Sequence, residues 1–454
     1  MHQAGLCWFK LIKADLFDHL EYDSSPLDPC FFMKRETREK SAATTGVDSV
    51  NEGECMGTDV PIFTSEPDDS RLEYTGRFVV VCLYVDDLFC YGNWTEEVGK
   101  LKERLRSLYQ CTDFDPPSWF LGWKIDVNEE EGTVKLSQGR LIREAIERFG
   151  LKDKKARSVP VPPNHVFESP DPTCLLSPEK QVLYMEKLGV CNYLATQVCG
   201  IVAYGVSKLG QFMQQADLHH MDAAGRILVW LGAHADDGIV YIKHKSSLVY
   251  LHAYSDASYA DKGQTGTSDS NRRRSQTGIV ILLCGCLIHW RSVGQKTVAL
   301  STCESELIAL TSCCQEVVFF RRTLEFLGFK QREPTAVAED NTAAEAICSS
   351  QIATKRSRFI DVRYHYCRQM QAEGEIRVYR CDTKLMRADM FTKALSREVL
   401  LEHWLAVASG TEHGLATAKQ AFVVVFDWLA DRTYHACGIA VPMLSMLANI
   451  NHTD

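Results

Sequence analysis

Residues 78–92 read FVVVCLYVDDLFCYG, with Asp86 and Asp87 side by side in the middle. Nothing else in the chain limits the fold as much. An apolar run of this length, broken once, is two short buried strands joined at the acidic pair. Two carboxylates in such surroundings are costly unless something neutralises them. A divalent cation does so, because Mg²⁺ takes a few carboxylates together with substrate phosphates. A plain hairpin turn competes on equal terms, since Asp favours turns. Against it, Val85-Asp86-Asp87-Leu88 offers the turn neither Gly nor Asn.

The rest of the chain bounds what can surround that pair. Its 454 residues suggest about three domains. With 45% hydrophobic and 24% charged residues, wholesale disorder and a fibrous protein are excluded. Fifty basic residues against 59 acidic ones give a net charge of −9. That weighs weakly against holding nucleic acid by bulk charge and leaves local basic patches open. The 18 cysteines lie within apolar segments, without a C-x-x-C pair or Cys/His zinc spacing. They read as reduced thiols of an intracellular protein, in cytoplasm or nucleus. The N-terminal MHQAGLCWFKLIKADLF has charges inside its apolar run and is no signal peptide. The tail from Thr433 is a poor membrane span, so no membrane partner is expected.

Composition divides the chain into residues 1–150, 151–245, 246–400 and an unassigned tail, 401–454. Residues 34–76 lose hydrophobicity and read as a long mobile loop. Helical spacing of Val98, Leu101, Leu105 and Leu108 predicts a helix over 95–110, and strands follow at 118–127 and 133–137. The Lys-, Pro- and Ser-rich stretch 152–178 marks a boundary before a mostly helical part, 179–233.

A second acidic constellation begins at 248–260, LVYLHAYSDASYA, a strand on which Asp256 shares a face with Tyr250, His252 and Tyr254. Residues 277–291 and 296–300 supply two more strands, bent at Cys284-Gly285-Cys286. Ser301-Thr302-Cys303-Glu304 forms a capping box, which gives Glu304 a structural role. Glu306 has no such role and shares a helical face with Leu310, Cys313 and Val317. Asp340 joins a strand, 334–339, to a helix, 341–349, where it could equally be an N-cap. A helix over 360–373, a strand over 375–381 and a closing helix over 388–395 complete the order. Asp389 could merely favour the last helix's dipole. Together, acids so separated in sequence can converge on two cations.

The words around both constellations resemble one family. Tyr84-Val85-Asp86-Asp87 resembles the Y-x-D-D signature of reverse transcriptases, and its neighbours resemble the Ty1/copia-type retrotransposon Pol polyprotein. Gln3 to Phe9 is similar to Q-A-P-R-A-W-Y, Asp28-Pro29-Cys30-Phe31 to D-P-C-L/V, and Trp119-Phe120-Leu121-Gly122 to Y-F-L-G, which helps place a primer end. Leu136-Ser137-Gln138 with Phe149-Gly150 resembles L-S-Q…F-G-M. Further on, Tyr254 to Ser258 resembles Y-S-D-A-D, Ser275 to Gly278 S-T-S-G, and Val298 to Glu306 V-A-L-S-S-T-E-A-E. Glu339-Asp340-Asn341 stands for C-D-N, Phe359 to Val362 plus His365 for H-I-D-V…H, and Arg387 to Lys393 for x-A-D-I-F-T-K. Two segments depart: Arg358-Phe359 replaces K-H, and Val198-Cys199-Gly200-Ile201 replaces R-P-D-I.

The resemblance implies an α+β / α/β chain. A partial reverse-transcriptase palm with a thumb-connection region would precede a ribonuclease H-like mixed five-stranded sheet with flanking helices. It implies that Asp256, Glu306, Asp340 and Asp389 bind two Mg²⁺ (or Mn²⁺) ions for endonucleolytic cleavage of RNA in an RNA–DNA hybrid; His365 could be a general base or phosphate contact there, although a lone His on a helix reads first as structural. It implies that Asp86 and Asp87 bind the metal of DNA synthesis. The family's other palm Asp precedes the Q-A-P-R-A-W-Y segment, here at residue 3, so nucleotidyl transfer by this chain alone is not expected. Tyr84, Phe120, Leu121 and Gly122 would meet nucleic acid. So would the basic clusters Lys154-Lys155, Arg272-Arg273-Arg274 and Lys355-Arg356 with Arg358, each equally readable as a solvated face. The implied partners are a hybrid or primer–template, other Pol segments or a second copy. A binding remnant without turnover stands as the alternative. Neither a D-[ST]-G protease motif nor an integrase-type zinc pattern is found.

Overall fold

The structure is a computed structural model that describes residues 2–39, 72–113, 118–242, 249–259, 274–349 and 363–410. The chain opens with α1 (His2–Ala14), continued by one π-helical turn over Asp15–His19. Then come β1 (Asp23–Ser24), β2 (Phe31–Glu39), β3 (Leu72–Tyr84) and β4 (Asp87–Gly92), antiparallel and in that spatial order. Strand alternation sorts their side chains onto two faces. Phe32, Val79, Val81 and Leu83 pack with Ile12, Leu16 and Leu101, the last from α2 (Thr95–Leu108). Phe31, Met33, Val80 and Cys82 face the opposite way, into the main core. Lys34 and the buried Glu97 form an ion pair at 2.9 Å, and the same ammonium donates to the Leu20 carbonyl. The expected loop at 34–76 is shorter than its composition suggests. Cross-strand pairs such as Arg38 with Glu73 carry the ladder into its polar flanks, and residues 40–71 lie outside the described residues.

A second sheet is built from β5 (Trp119–Phe120), β6 (Trp123–Asn128) and β7 (Thr133–Ser137). The helices follow: α3 (Gly139–Arg148), α4 (Pro178–Gln197), α5 (Ala203–Gly210) and α6 (Leu218–Ala233). Ser177 caps α4, and Asp217 and His220 form the capping box of α6. The chain then returns as β8 (Ile239–Ile242) to pair with β7, Ile239 opposite Leu136. Gly238 permits that return, because a Cβ there would lie 2.0 Å from the Leu136 carbonyl oxygen. The departure at Val198–Ile201 is accommodated by burial, with Gly200 flush against the Trp290 indole.

The third sheet contains β9 (Leu251–Ser258), β10 (Gln276–Leu283) and β11 (Cys286–Gly294). After α7 (Thr302–Phe326) come β12 (Thr335–Glu339), α8 (Thr342–Ser349), α9 (Arg363–Ala372) and β13 (Ile376–Arg380). The strand order is β11-β10-β9-β12-β13; β9 to β11 are antiparallel, and β9, β12 and β13 are parallel. Short 3₁₀ turns over Thr383–Leu385 and Arg387–Phe391 lead to α10 (Arg397–Ala408).

Four expectations are corrected here. Cys284-Gly285 is a two-residue hairpin loop with both φ positive, so the strands flanking it are β10 and β11, and residues 296–300 form no strand. The closing helix over 388–395 is a 3₁₀ turn instead. Residues 401–410 are no tail: α10 buries Trp404 and Val407 against the core. The boundaries near 150 and 246 are not breaks in packing, since one core cluster runs from Phe31 to Ala408. No helix among the described residues is long and apolar enough to cross a membrane.

Candidate metal centre

Asp256 is on β9, at the centre of the third sheet, and is buried. Both faces of β9 are covered, so the alternation expected for Tyr250 to Ser258 does not divide inside from outside. Glu306 projects from the second turn of α7, and Asp340 follows the last residue of β12. Oxygens of these three acids lie within 4.8 Å of one another. Asp340 is released from the capping role that competed for it. Asn341 caps α8 instead, its Oδ1 accepting from the backbone N–H groups of Ala343 and Ala344 at 3.0 and 3.1 Å. Asp340 Oδ2 accepts from the Thr383 hydroxyl at 2.9 Å. Ser301 caps α7, its hydroxyl accepting from Glu304 N–H, but the Glu304 carboxylate accepts from Leu300 N–H, one residue before the cap, so the expected capping box is only half formed.

Asp389 belongs to the 3₁₀ turn that lies across β9 and β10. Its Oδ1 is 2.8 Å from Lys393 Nζ, which also lies 3.8 Å from Asp256 Oδ2. The Thr392 hydroxyl donates to the same Asp256 oxygen. Burial, with Asp256, Glu339 and Asp340 beside it, pushes the Glu306 carboxyl up to about 10. Burial and the Asp256 charge bring Asp389 up to about 7, against the pull of Lys393. Asp256 itself is raised, chiefly by burial. These acids cannot all ionise together without added positive charge. Glu306 Oε2 is buried without a hydrogen-bond partner, which fits a site for a hard cation.

Sequence reasoning missed Glu339. It is fully buried on β12, one oxygen accepting from Asn341 N–H at 3.1 Å and the other unpartnered. Burial raises it well above the carboxylate range. The only signal was an acid where the resembled motif has Cys. His365 is exposed on the first turn of α9 and is not part of the acidic group.

The first constellation has a different form. Tyr84 pairs with Asp87 across a two-residue loop, so the acidic pair straddles a hairpin turn after all. The turn reading and the metal reading are therefore compatible. Val85 has φ 54°, a left-handed conformation that a β-branched residue adopts only under constraint. Trp8 Nε1 donates to its carbonyl at 2.5 Å. Tyr84, Val85, Asp86 and Asp87 are all exposed.

The expected nucleic-acid contacts divide. Phe120 is corrected to a core residue, packed on Phe89 and Trp123 with ring centroids 5.1 and 6.4 Å away. Leu121 and Gly122 form the hairpin turn beyond it, at φ 48° and 76°. Lys154 and Lys155 are exposed and line a cleft of about 1340 Å³ against α6, together with Arg157 and Arg226. Arg274 is half-buried beside β10. Arg272, Arg273, Lys355, Arg356 and Arg358 lie outside the described residues.

Residues 70–163, which include the exposed acidic hairpin, match the family described as "Reverse transcriptase (RNA-dependent DNA polymerase)". More narrowly, the chain is similar to the Pol polyproteins of copia-type transposons. It is 30% identical over 325 residues to the "Retrovirus-related Pol polyprotein from transposon TNT 1-94" of Nicotiana tabacum, a match covering 71% of this chain and 24% of that protein. It is 29% identical over 323 residues to the corresponding polyprotein from transposon RE1 of Arabidopsis thaliana, covering 71% and 21%. An uncharacterised mitochondrial protein of A. thaliana is 28% identical over 261 residues, covering 56% of this chain and 97% of its own length. The chain thus spans about a quarter or less of the two polyproteins.

Proposed function

We propose that residues 249–410 form a ribonuclease H-like nuclease that hydrolyses the RNA strand of RNA–DNA hybrids. The convergence of Asp256, Glu306 and Asp340 carries this reading. The strand order, with an antiparallel β9–β11 half and a parallel β9, β12, β13 half, supports it. Asp256, Glu306 and Asp340 would hold Mg²⁺ or Mn²⁺, with Asp389 beside them. When bound, the cation supplies charge neutralisation and Lewis acidity for attack of water on a phosphodiester. Thr392 and Thr383 fix the orientation of Asp256 and Asp340 before substrate arrives. A hybrid would be met through its shape and 2′-hydroxyl groups. Lys154 and Lys155, both exposed, would touch its phosphates.

Residues 1–150 are read as the palm part of a reverse transcriptase, with Asp86 and Asp87 as ligands of a catalytic cation and Tyr84 beside the primer end. The strained, pinned Val85 turn supports a functional role for this hairpin.

The test is cleavage of a labelled RNA–DNA hybrid by the full chain with Mg²⁺, beside Asp256→Asn. Cleavage that falls about a hundredfold or more in the variant is expected. Hybrid binding without cleavage by well-folded wild type would reduce the protein to a binding remnant.

A further inference from the structure

The Leu121–Gly122 turn has two anchors. One is Phe120, packed on Trp123 and on Phe89 of β4, which fixes the turn to the hairpin that carries Asp86 and Asp87. The other is α4. Tyr193, one turn before the end of that helix, donates its hydroxyl to the Leu121 carbonyl at 2.8 Å, across 72 residues of chain. A Cβ on Gly122 would lie 3.5 Å from the same hydroxyl oxygen, so the phenol rests on the turn itself. Burial, with the Tyr84 phenol nearby, holds the Tyr193 hydroxyl above the usual phenol range, and it stays a donor.

The turn needs such a tie. β5 supplies only the pairs Trp119–Lys124 and Phe120–Trp123, too short a ladder to be rigid by itself. Leu121 is at φ 48°, a left-handed conformation that a residue other than Gly keeps only where its surroundings impose it. The bond to its carbonyl is one such imposition. Tyr193 is nonetheless 40% exposed and Tyr84 39%, so the face between α4 and the acidic hairpin is open to a large ligand.

We propose that Tyr193 is a positioning residue for a primer end: its hydroxyl holds the Leu121–Gly122 turn where a recessed 3′ terminus meets the Asp86–Asp87 hairpin, and so couples α4 to that hairpin. This rests on the reading of residues 1–150 as the palm part of a reverse transcriptase.

The probe is a DNA primer on a DNA template, carrying 4-thiothymidine at the recessed 3′ end and bound by the full chain. Photocrosslinking in wild type is expected to mark residues 119–124. Tyr193→Phe keeps the ring and removes only the donor. It should lower that yield about fivefold, the worth of one hydrogen bond, while duplex affinity by fluorescence anisotropy stays within about twofold. An unchanged yield in Tyr193→Phe would overturn the proposal and leave the palm reading intact. So would an affinity that falls as far as the yield, because the hydroxyl would then serve duplex binding at large and not the placement of its end. Hydrogen exchange over 119–124 as fast as in a free peptide would overturn it in wild type alone, with no variant to fold. No duplex binding by wild type, or a crosslink elsewhere in the chain, would remove the palm reading and the proposal together.

Discussion

His252 lies on the strand that carries Asp256, with Nε2 2.8 Å from the Tyr379 hydroxyl and Nδ1 without a partner. Burial holds its imidazole down at about 4, against an unfolded value near 6.5. The neutral ring is the folded form. Its contribution to stability is therefore complete above pH 6.5 and is lost as pH falls towards 4. At pH 5.5 the loss is about 1 kcal/mol. Urea unfolding at pH 7.5 and 5.5 should show His252→Gln losing about 1 kcal/mol less than wild type across that interval. Equal losses would clear this histidine of any part in acid sensitivity. At this scale the sequence was readable where an acid broke an apolar pattern. Asp256 and Glu306 stood out that way, and the structure brings them together with Asp340. Glu339 did not stand out, because it adjoins Asp340 on a short strand and its burial follows from α7 and α8 packing over it. The partners Thr392 and Lys393 were equally hidden, since the segment read as a regular helix.

Two of the three tight hairpins use an X-Gly pair at positive φ, Leu121-Gly122 and Cys284-Gly285, as two-residue loops between twisted strands require. The third, at Val85-Asp86, breaks that rule, which is why its local sequence argued against a turn. Helix starts were legible from their caps: Ser301 behaves as its sequence suggests. The 3₁₀ turn over 387–391 was not legible, because it is shaped by what lies beneath it. Gly278 on β10 is that floor. A Cβ there would come within 2.6 Å of the Ala388 carbonyl oxygen and 2.7 Å of Thr392 Cγ2. Gly278→Ala should therefore lift the turn and displace Asp389, Thr392 and Lys393 without altering an acid. Cleavage of the hybrid should fall about tenfold or more, at a stability cost of about 1–3 kcal/mol. Full activity with unchanged stability would show that the turn does not need close contact with β10.

Composition suggested separate domains, but packing unites them. Trp290 of β11 donates to the Ala195 carbonyl at 2.8 Å, lies against Gly200 and meets Trp404 edge-on at 6.5 Å. It is thus shared by the helical connection, the third sheet and α10. Trp290→Ala should cost about 3–5 kcal/mol. Hydrogen exchange should then rise in α4 and in β10 together. Protection lost in β10 alone would mean that the two parts open independently. The polar stretch 152–178 was read as a boundary, yet it covers a core rather than linking two. Its Val159 and Val161 are buried, and Arg226 of α6 donates to the Val159 carbonyl at 3.1 Å.

β8 pairs with β7 along one side and ends the second sheet on the other. Its free side is not left open: α10 and β11 lie against it, and Gly410 fits so closely that a Cβ would sit 2.9 Å from the Val240 carbonyl oxygen. An uncovered strand edge is a template for pairing with another molecule. The last described helix therefore does more than complete a core. It shields the chain from its own copies, and a fragment cut before Arg397 would carry a sticky edge and tend to aggregate through β8.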